Sequence, residues 1–300
     1  MESNYGKVVR DIRLSKGYSQ KYLYSGIVSK TYAIDFEKGL HDMSVTKFMD
    51  VLARLDMGYK EFKFIANGYH TTEEVTSDVL IAVAANRGDI ETLKKLRTYY
   101  NVPQNKDEEL LKARLNLLIY SYEESYKTHS KPVVYPKKDV EILKNYLVSM
   151  DSWTISESNF FLNNGHYFDY ETYRFLTESA LKQLERYNTF QEAIKVKSFL
   201  FCNFLSTAIE NQDWKSLKKY RADFFDVTKD TGEGFQQRTF CVLTYHLYDY
   251  VMTKDQIFLT NAKKIEEVCY LLGSDYHRLA QGMTDTIEFC ENIVSNQLNN

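Results

Sequence analysis

Only 3 prolines and 12 glycines interrupt a chain of 300 residues, and the stretches between them carry apolar side chains three and four residues apart. So few breakers over such a length favour helices over many short strands joined by turns. The predicted fold class is all-α. The chain is 44% apolar and 15% aromatic, enough to pack cores rather than remain disordered, and its length predicts two domains. No apolar run approaches the roughly 18 residues that a membrane span needs. Residues 1–6 lack the charged-then-apolar layout of a signal peptide. A cytoplasmic location is therefore expected, with no membrane partner.

The net charge of −3 does not itself suggest a polyanionic partner, but its distribution does. Residues 1–66 hold 11 Lys/Arg against 8 Asp/Glu, whereas the remainder holds 27 against 33. A basic head on an acidic body suits a small DNA-binding module joined to a domain that avoids DNA. Cys202, Cys241, Cys269 and Cys290 are widely separated, with no C-x-x-C spacing, and the six histidines form no H-x-x-x-H pair. Buried thiols are expected, and neither a metal nor a cofactor. No glycine-rich phosphate loop, G-x-S-x-G or H-E-x-x-H is present, so no enzymatic activity is expected.

Residues 5–66 read as five short helices. The first runs from Tyr5 to about Lys16, with Tyr5, Val8 or Val9, and Ile12 inward, and Gly17 ending it. Ser19 caps a second helix that stops at Gly26, and Ser29 caps a third, Lys30 to Lys38, closed by Gly39. The fourth follows Ser44, with Val45, Phe48, Leu52 and Leu55 inward and Gly58 at its end; Tyr59 and Phe62 begin the fifth. Helices two and three have the spacing of a helix-turn-helix. The first turn of helix three, Ser29-Lys30-Thr31, is placed to reach base edges of a double-stranded operator. Gln20 with the amides opening helix two is placed at a phosphate, and Arg10 and Arg13 of helix one are expected to meet the DNA backbone.

The stretch Ser19-Gln20, Val28-Ser29-Lys30-Thr31 and Phe36-Glu37-Lys38-Gly39 resembles the phage-repressor-type helix-turn-helix. With Ser44, Lys47-Phe48, Leu52, Leu55 and Glu61-Phe62, it is similar to the Rgg/GadR/MutR family of Gram-positive regulators. Two positions depart from that family, where Ile34 and Asp35 replace a serine and a basic residue. Asp35 lies one turn after Thr31 and is expected to face the groove, where it can accept from a cytosine amino group but repels phosphates. Ala33 is smaller than the apolar residue usual there, which predicts a loosely packed helix three.

The expected organisation is a DNA-binding domain over 1–66, a linker over 67–73, and a helical-repeat ligand-sensing and dimerisation domain over 74–300. Apolar stripes mark the last part: Leu111, Leu115, Leu118 and Tyr122; Tyr173, Leu176, Ala180, Leu184 and Tyr187; Ala193, Val196, Leu200, Phe204 and Thr207. Phe258, Ile265, Cys269 and Leu272, then Tyr276, Leu279, Met283, Ile287 and Cys290, supply the last pair. Breaks fall near Gly88, 101–103, 131–136, 163–165, 188–189, 211–213, 231–232 and Gly273. Two helices per roughly 40 residues is the rhythm of a tetratricopeptide-like superhelical array of hairpins, whose leftover faces line a groove suited to an extended peptide.

Trp153-Thr-Ile-Ser-Glu157, followed by Phe160 to Asn164, is similar to the Trp-x-x-x-Glu signature of the Rgg/MutR C-terminal domain. A buried Trp docking a helix pair, with Glu157 capping locally, is the expected role of these two residues. The resemblance implies a homodimeric transcription regulator responding to a short hydrophobic signalling peptide of the quorum-sensing type. Asn203, in the apolar run Phe199-Leu-Phe-Cys-Asn203-Phe-Leu, resembles the helix Asn with which peptide-sensing relatives clamp ligand backbone; a bond to a neighbouring helix is its other reading. Tyr173, Arg174, Tyr245 and His246 are candidates to line the same groove, or else core and ordinary surface. The alternative reading of the whole chain is a protein-interaction module or antirepressor with a degraded helix-turn-helix and no peptide ligand.

Overall fold

The computed structural model describes residues 4–70, 77–125, 134–229 and 234–299, and all the regular structure among them is helical. The expected breaks at 131–133 and 231–232, and the end of the expected linker at 71–73, lie outside the described residues. No described helix is long and apolar enough to cross a membrane. The chain divides into two compact units, Met1–Arg87 and Gly88–Asn300.

The first unit contains α1 (Tyr5–Ser15), α2 (Gln20–Tyr24), α3 (Lys30–Lys38), α4 (Val45–Arg54), α5 (Tyr59–Ala66) and α6 (Ser77–Arg87). The starts of α1, α2 and α3 are fixed by side-chain oxygens taking orphan N–H groups. Asn4 accepts from Lys7, Ser19 from Tyr22 and Ser29 from Tyr32. Val9, Leu23, Ala33, Phe36, Val51, Leu52, Leu55 and Phe62 form the core, with Val9 rather than Val8 fully inside. The Tyr5, Phe48 and Phe62 rings meet at centroid distances of 5.0 to 5.7 Å. Gly6 lies against the carbonyl of Phe36, where a Cβ would overlap the oxygen, so α1 and α3 approach more closely than a side chain there allows.

Three details differ from the sequence expectation. Ala33 is 1% exposed, so its small side chain lets α3 pack closely instead of loosely. Val45 is 78% exposed, because the inward stripe of α4 runs through Phe48, Val51 and Leu52. Gly58 does not end α4: Asp56 takes the left-handed conformation (φ 51°), and Met57 N–H bonds Leu52 O at 3.1 Å to close the helix. Gly58 instead precedes α5 in extended conformation.

The second unit contains α7 (Ile90–Tyr99), α8 (Lys106–Ser125), α9 (Lys137–Val148), α10 (Ile155–Asn164), α11 (Tyr170–Leu184), α12 (Gln191–Glu210), α13 (Trp214–Val227), α14 (Phe235–Thr253), α15 (Gln256–Leu271) and α16 (His277–Asn299). Apart from α10 and α11, successive helices pack on one another, and α10, α12, α14 and α16 also pack on one another through the array. This is the tetratricopeptide-like superhelical arrangement. The stripes of α11 and α12 are buried as expected, except that Tyr187 and Thr207 are half-buried. In α8 the fully buried residues are Ala113, Leu115, Leu117 and Ile119, while Leu111, Leu118 and Tyr122 are half-buried. That helix is covered on more than one side, so it has no single stripe. Leu272, expected inside, is 49% exposed at the end of α15.

Trp153 is 4% exposed, its indole N–H donating to Leu147 O at 3.0 Å and its ring 5.7 Å from Phe161. One turn on, the Glu157 carboxylate accepts from the Thr154 N–H (2.7 Å) and hydroxyl (2.6 Å), while Thr154 Oγ1 accepts from Ser156 N–H. Partial burial opposes the Glu157 charge, but these bonds hold its carboxyl below the ordinary range. Trp153 thus fastens the α9–α10 junction, and Glu157 caps α10.

Candidate functional site

In the first unit, α2 and α3 are joined by the turn Ser25–Ser29, with Gly26 in the left-handed region (φ 79°). Arg54 Nη1 holds this turn from α4, donating to Leu23 O (3.1 Å) and Ser25 O (2.6 Å). Ser29, Lys30 and Thr31, at the start of α3, are exposed, and so is Arg10 on α1. None of the side chains of Arg10, Lys30 or Thr31 has an internal hydrogen-bond partner among the described residues.

Two of the expected phosphate contacts face the other way. Arg13 is 7% exposed, and its guanidinium grips Glu37 in a two-pronged pair, Nε to Oε1 at 2.7 Å and Nη2 to Oε2 at 2.8 Å. Its remaining nitrogen donates to Tyr18 O at 2.8 Å. Gln20 Nε2 donates to the same Glu37 oxygen, Oε2, at 2.7 Å. Burial would push the Glu37 carboxyl up, but the bonds from Arg13 and Gln20 and the adjacent guanidinium charge hold it below the usual carboxylate range. Arg13 and Gln20 therefore set the position of α3 rather than reach outward. Glu37 was missed as a functional residue although it stands in the Phe-Glu-x-Gly motif. The signal was its register: Ala33, Phe36 and Glu37 share the inner face of α3, as Val9 and Arg13 share that of α1.

Asp35 is partly exposed and lies beside the loop after α3, with His41 Nε2 at 3.8 Å from its Oδ2. The His41 ring stacks on Tyr32 (centroids 5.7 Å apart), whose hydroxyl donates to Asp42 O at 2.6 Å. The acidic departure in α3 is thus matched by a histidine that the sequence reading did not single out.

In the second unit, Asn203 is exposed on α12, and its side chain makes no hydrogen bond among the described residues. The bond to a neighbouring helix, weighed as the alternative, is not made. Asn203 and Tyr173 line one cavity of about 410 Å³ between α10, α11 and α12, together with His166, Tyr170 and Glu210. The other expected groove residues lie elsewhere. Arg174 pairs with Glu171 at 2.6 Å on the surface of α11. Tyr245 packs between the Phe225 ring (5.8 Å) and the Arg221 guanidinium (4.8 Å), and His246 lies 6.2 Å from the Phe258 ring. A larger cavity of about 910 Å³ between α11, α12 and α13 has a charged wall, including Lys182, Glu185, Lys197, Asp223 and Asp226.

The profile of the C-terminal domain of the helix-turn-helix-type transcriptional regulator Rgg matches residues 93–280. A Listeria monocytogenes EGD-e protein described as a transcriptional regulator superposes with a TM-score of 0.82 at 23% identity, covering 97% of this chain and 99% of its own. For the SHP pheromone receptor Rgg2 of Streptococcus dysgalactiae the TM-score is 0.74 at 18% identity, over 94% of this chain and 99% of the receptor. PrgX in its complex with iCF10 gives 0.71 at 16% identity, over 96% of each chain. At such identities the superpositions establish the fold, and the profile match over more than half the chain establishes the family, which is one of regulators rather than enzymes. The chain belongs to the Rgg family of transcriptional regulators.

Proposed function

We propose that this regulator binds a specific operator through α3 as a homodimer and that a short hydrophobic peptide, held on the α11–α12 side of the second unit, controls it. The observation that carries the peptide reading is Asn203: a helix amide with neither donor nor acceptor engaged, on the wall of a 410 Å³ cavity beside Tyr173. An extended peptide needs donors and acceptors together, and a side-chain amide offers both. The same fold serves Rgg2 as an SHP pheromone receptor and PrgX as a partner of iCF10 and cCF10. For DNA, the support is the division of labour in residues 1–66. Arg13, Gln20 and Glu37 fix α3 from inside, which leaves Ser29, Lys30 and Thr31 to meet base edges and Arg10 to meet a phosphate. A homodimer would place two copies of α3 in successive major grooves, on half-sites roughly 10 bp or a multiple apart.

Two measurements test this. Selection from a randomised duplex library should return an inverted repeat, and Lys30→Ala with Thr31→Ala should abolish its base preference; unchanged preference would remove α3 as the reader. Calorimetric titration with peptides from culture medium should show Asn203→Ala weakening every active peptide by about 1–3 kcal/mol. Equal affinities for mutant and wild type would dismiss the clamp. The second reading, an interaction module or antirepressor, is favoured by the carboxylate of Asp35 on the DNA-facing helix. It predicts no salt-dependent retention on DNA.

A further inference from the structure

The cavity beside Asn203 has a chemical bias that the peptide reading leaves unspecified. Glu210, the last residue of α12, lines it and makes no hydrogen bond or ion pair among the described residues. Its side chain is exposed at the cavity mouth, and desolvation by the surrounding atoms raises its carboxyl above the usual range with no neighbouring charge to offset it. Three other lining groups each have a donor engaged inside the protein. The Tyr170 hydroxyl donates to Asp213 Oδ2 (2.7 Å), the Thr207 hydroxyl to Asn203 O (2.9 Å), and the Asn211 amide nitrogen to Thr207 O (2.8 Å). The two hydroxyls have only lone pairs left, while the Asn211 amide keeps its carbonyl oxygen and one N–H. The carboxylate also stands at the C-terminal end of a 20-residue helix, where the aligned peptide dipoles favour a cation. The rings of Tyr170 and Tyr173 supply aromatic wall, which attracts a cation through its quadrupole.

We propose that this cavity takes a primary ammonium group, paired with Glu210 and surrounded by the acceptors of Tyr170, Thr207 and Asn211. An ammonium carries three donors and no acceptor, which matches the Glu210 carboxylate and the lone pairs of these three groups. The proposal rests on the peptide reading and deepens it: a volume of about 410 Å³ falls low in the range of roughly 300–1,000 Å³ for small-ligand pockets, so it houses one charged end or one basic side chain of a peptide, not its length. Asn203 on the same wall then bonds the first backbone amides beyond that end.

The test uses the full chain and a synthetic, C-terminally amidated hexapeptide of leucine, valine and glycine, titrated with a free and with an acetylated N-terminus. Acetylation should weaken binding to wild type about tenfold. Glu210→Gln should weaken the free-amine peptide by a similar factor and bind both forms equally, with an unchanged melting temperature because Glu210 holds no internal bond. An acetylated version carrying one lysine should regain affinity for wild type but not for Glu210→Gln if a side chain supplies the cation. Equal binding of the free and acetylated peptides by wild type, or a preference that survives in Glu210→Gln, overturns the ammonium site while leaving the peptide reading intact. Pentylammonium is the control for the reverse case. If it binds in a Glu210-dependent way and no peptide does, the site stands and the peptide reading falls; if neither binds, both fall.

Discussion

Replacing Glu37 by alanine should destabilise the first unit far more than the loss of one helical side chain. The substitution removes three charge-assisted hydrogen bonds of 2.7, 2.8 and 2.7 Å and leaves the Arg13 guanidinium, 7% exposed, with only the Tyr18 carbonyl. At ~1.5–3 kcal/mol for a bond to a charged group the three bonds would sum higher. Gln20 is half-buried and regains water, however, so the figure of ~3–5 kcal/mol for orphaning one member of a buried pair is the better guide. A unit of about 87 residues has roughly 4–13 kcal/mol in all, and at ~4–8 °C per kcal/mol its melting point should fall by roughly 12–40 °C. Both tryptophans, Trp153 and Trp214, lie in the second unit. Circular dichroism should therefore show the early loss of helix while tryptophan fluorescence keeps its wild-type transition. The pair Arg13→Met with Glu37→Leu should recover more than half of the loss, since no charge is then stranded. The linkage to pH has a definite sign. The Glu37 carboxyl is depressed on folding, so its contribution is complete above the unfolded value of about 4.3 and is lost as pH falls through the lower folded value. Glu37→Gln should flatten that acid limb. A Glu37→Ala protein melting within about 1 °C of wild type, or a double variant no better than the single, would refute the reasoning.

Arg10→Ala should weaken binding to all duplexes alike and reduce the salt slope by about 1, whereas Arg13→Ala should leave the slope unchanged below its melting temperature; filter binding across a salt series separates the two. Asp35→Arg should tighten non-specific binding and change the preferred base at one operator position, read from a randomised site library; unchanged affinity throughout would show that Asp35 points away from DNA. Trp153→Ala should cost about 3–5 kcal/mol, seen as earlier unfolding reported by Trp214, with no change in the transition of the first unit.

The first three helices were legible because their boundaries carry their own local chemistry. Ser19 and Ser29 accept from N–H groups in the first turns they precede, and Gly17, Gly26 and Gly39 adopt the left-handed backbone that ends the preceding turn. Where the boundary used a residue with no strong preference, the reading slipped, as at Asp56, which took the role assigned to Gly58. The amphipathic stripes of α11 and α12 were visible because each helix has one buried side. Once α8 was covered on several sides, burial no longer followed the helical period, and Leu111, Leu118 and Tyr122 lost their rank to Ala113, Leu117 and Ile119.

The sites were less legible, for a reason that Arg13 shows. From sequence, an arginine on the first helix of a basic module reads as a phosphate contact. Whether it points outward depends on a carboxylate 24 positions away that occupies an inward register of another helix. Long-range pairs of this kind leave only a weak trace, a charged residue where the period demands an apolar one, and Arg13 and Glu37 both carry that trace. The same logic reverses for Asn203. It stands in an apolar run, yet the run is split between faces: Phe201, Phe204 and Leu205 turn inward, while Asn203 is exposed beside a cavity. A polar residue at an inward register therefore argues for an internal partner, and one at an outward register above a cavity argues for an external one. By that rule Arg13 and Glu37 hold α3 in place, and the outward registers of Asn203 and Glu210 support the proposed ligand site.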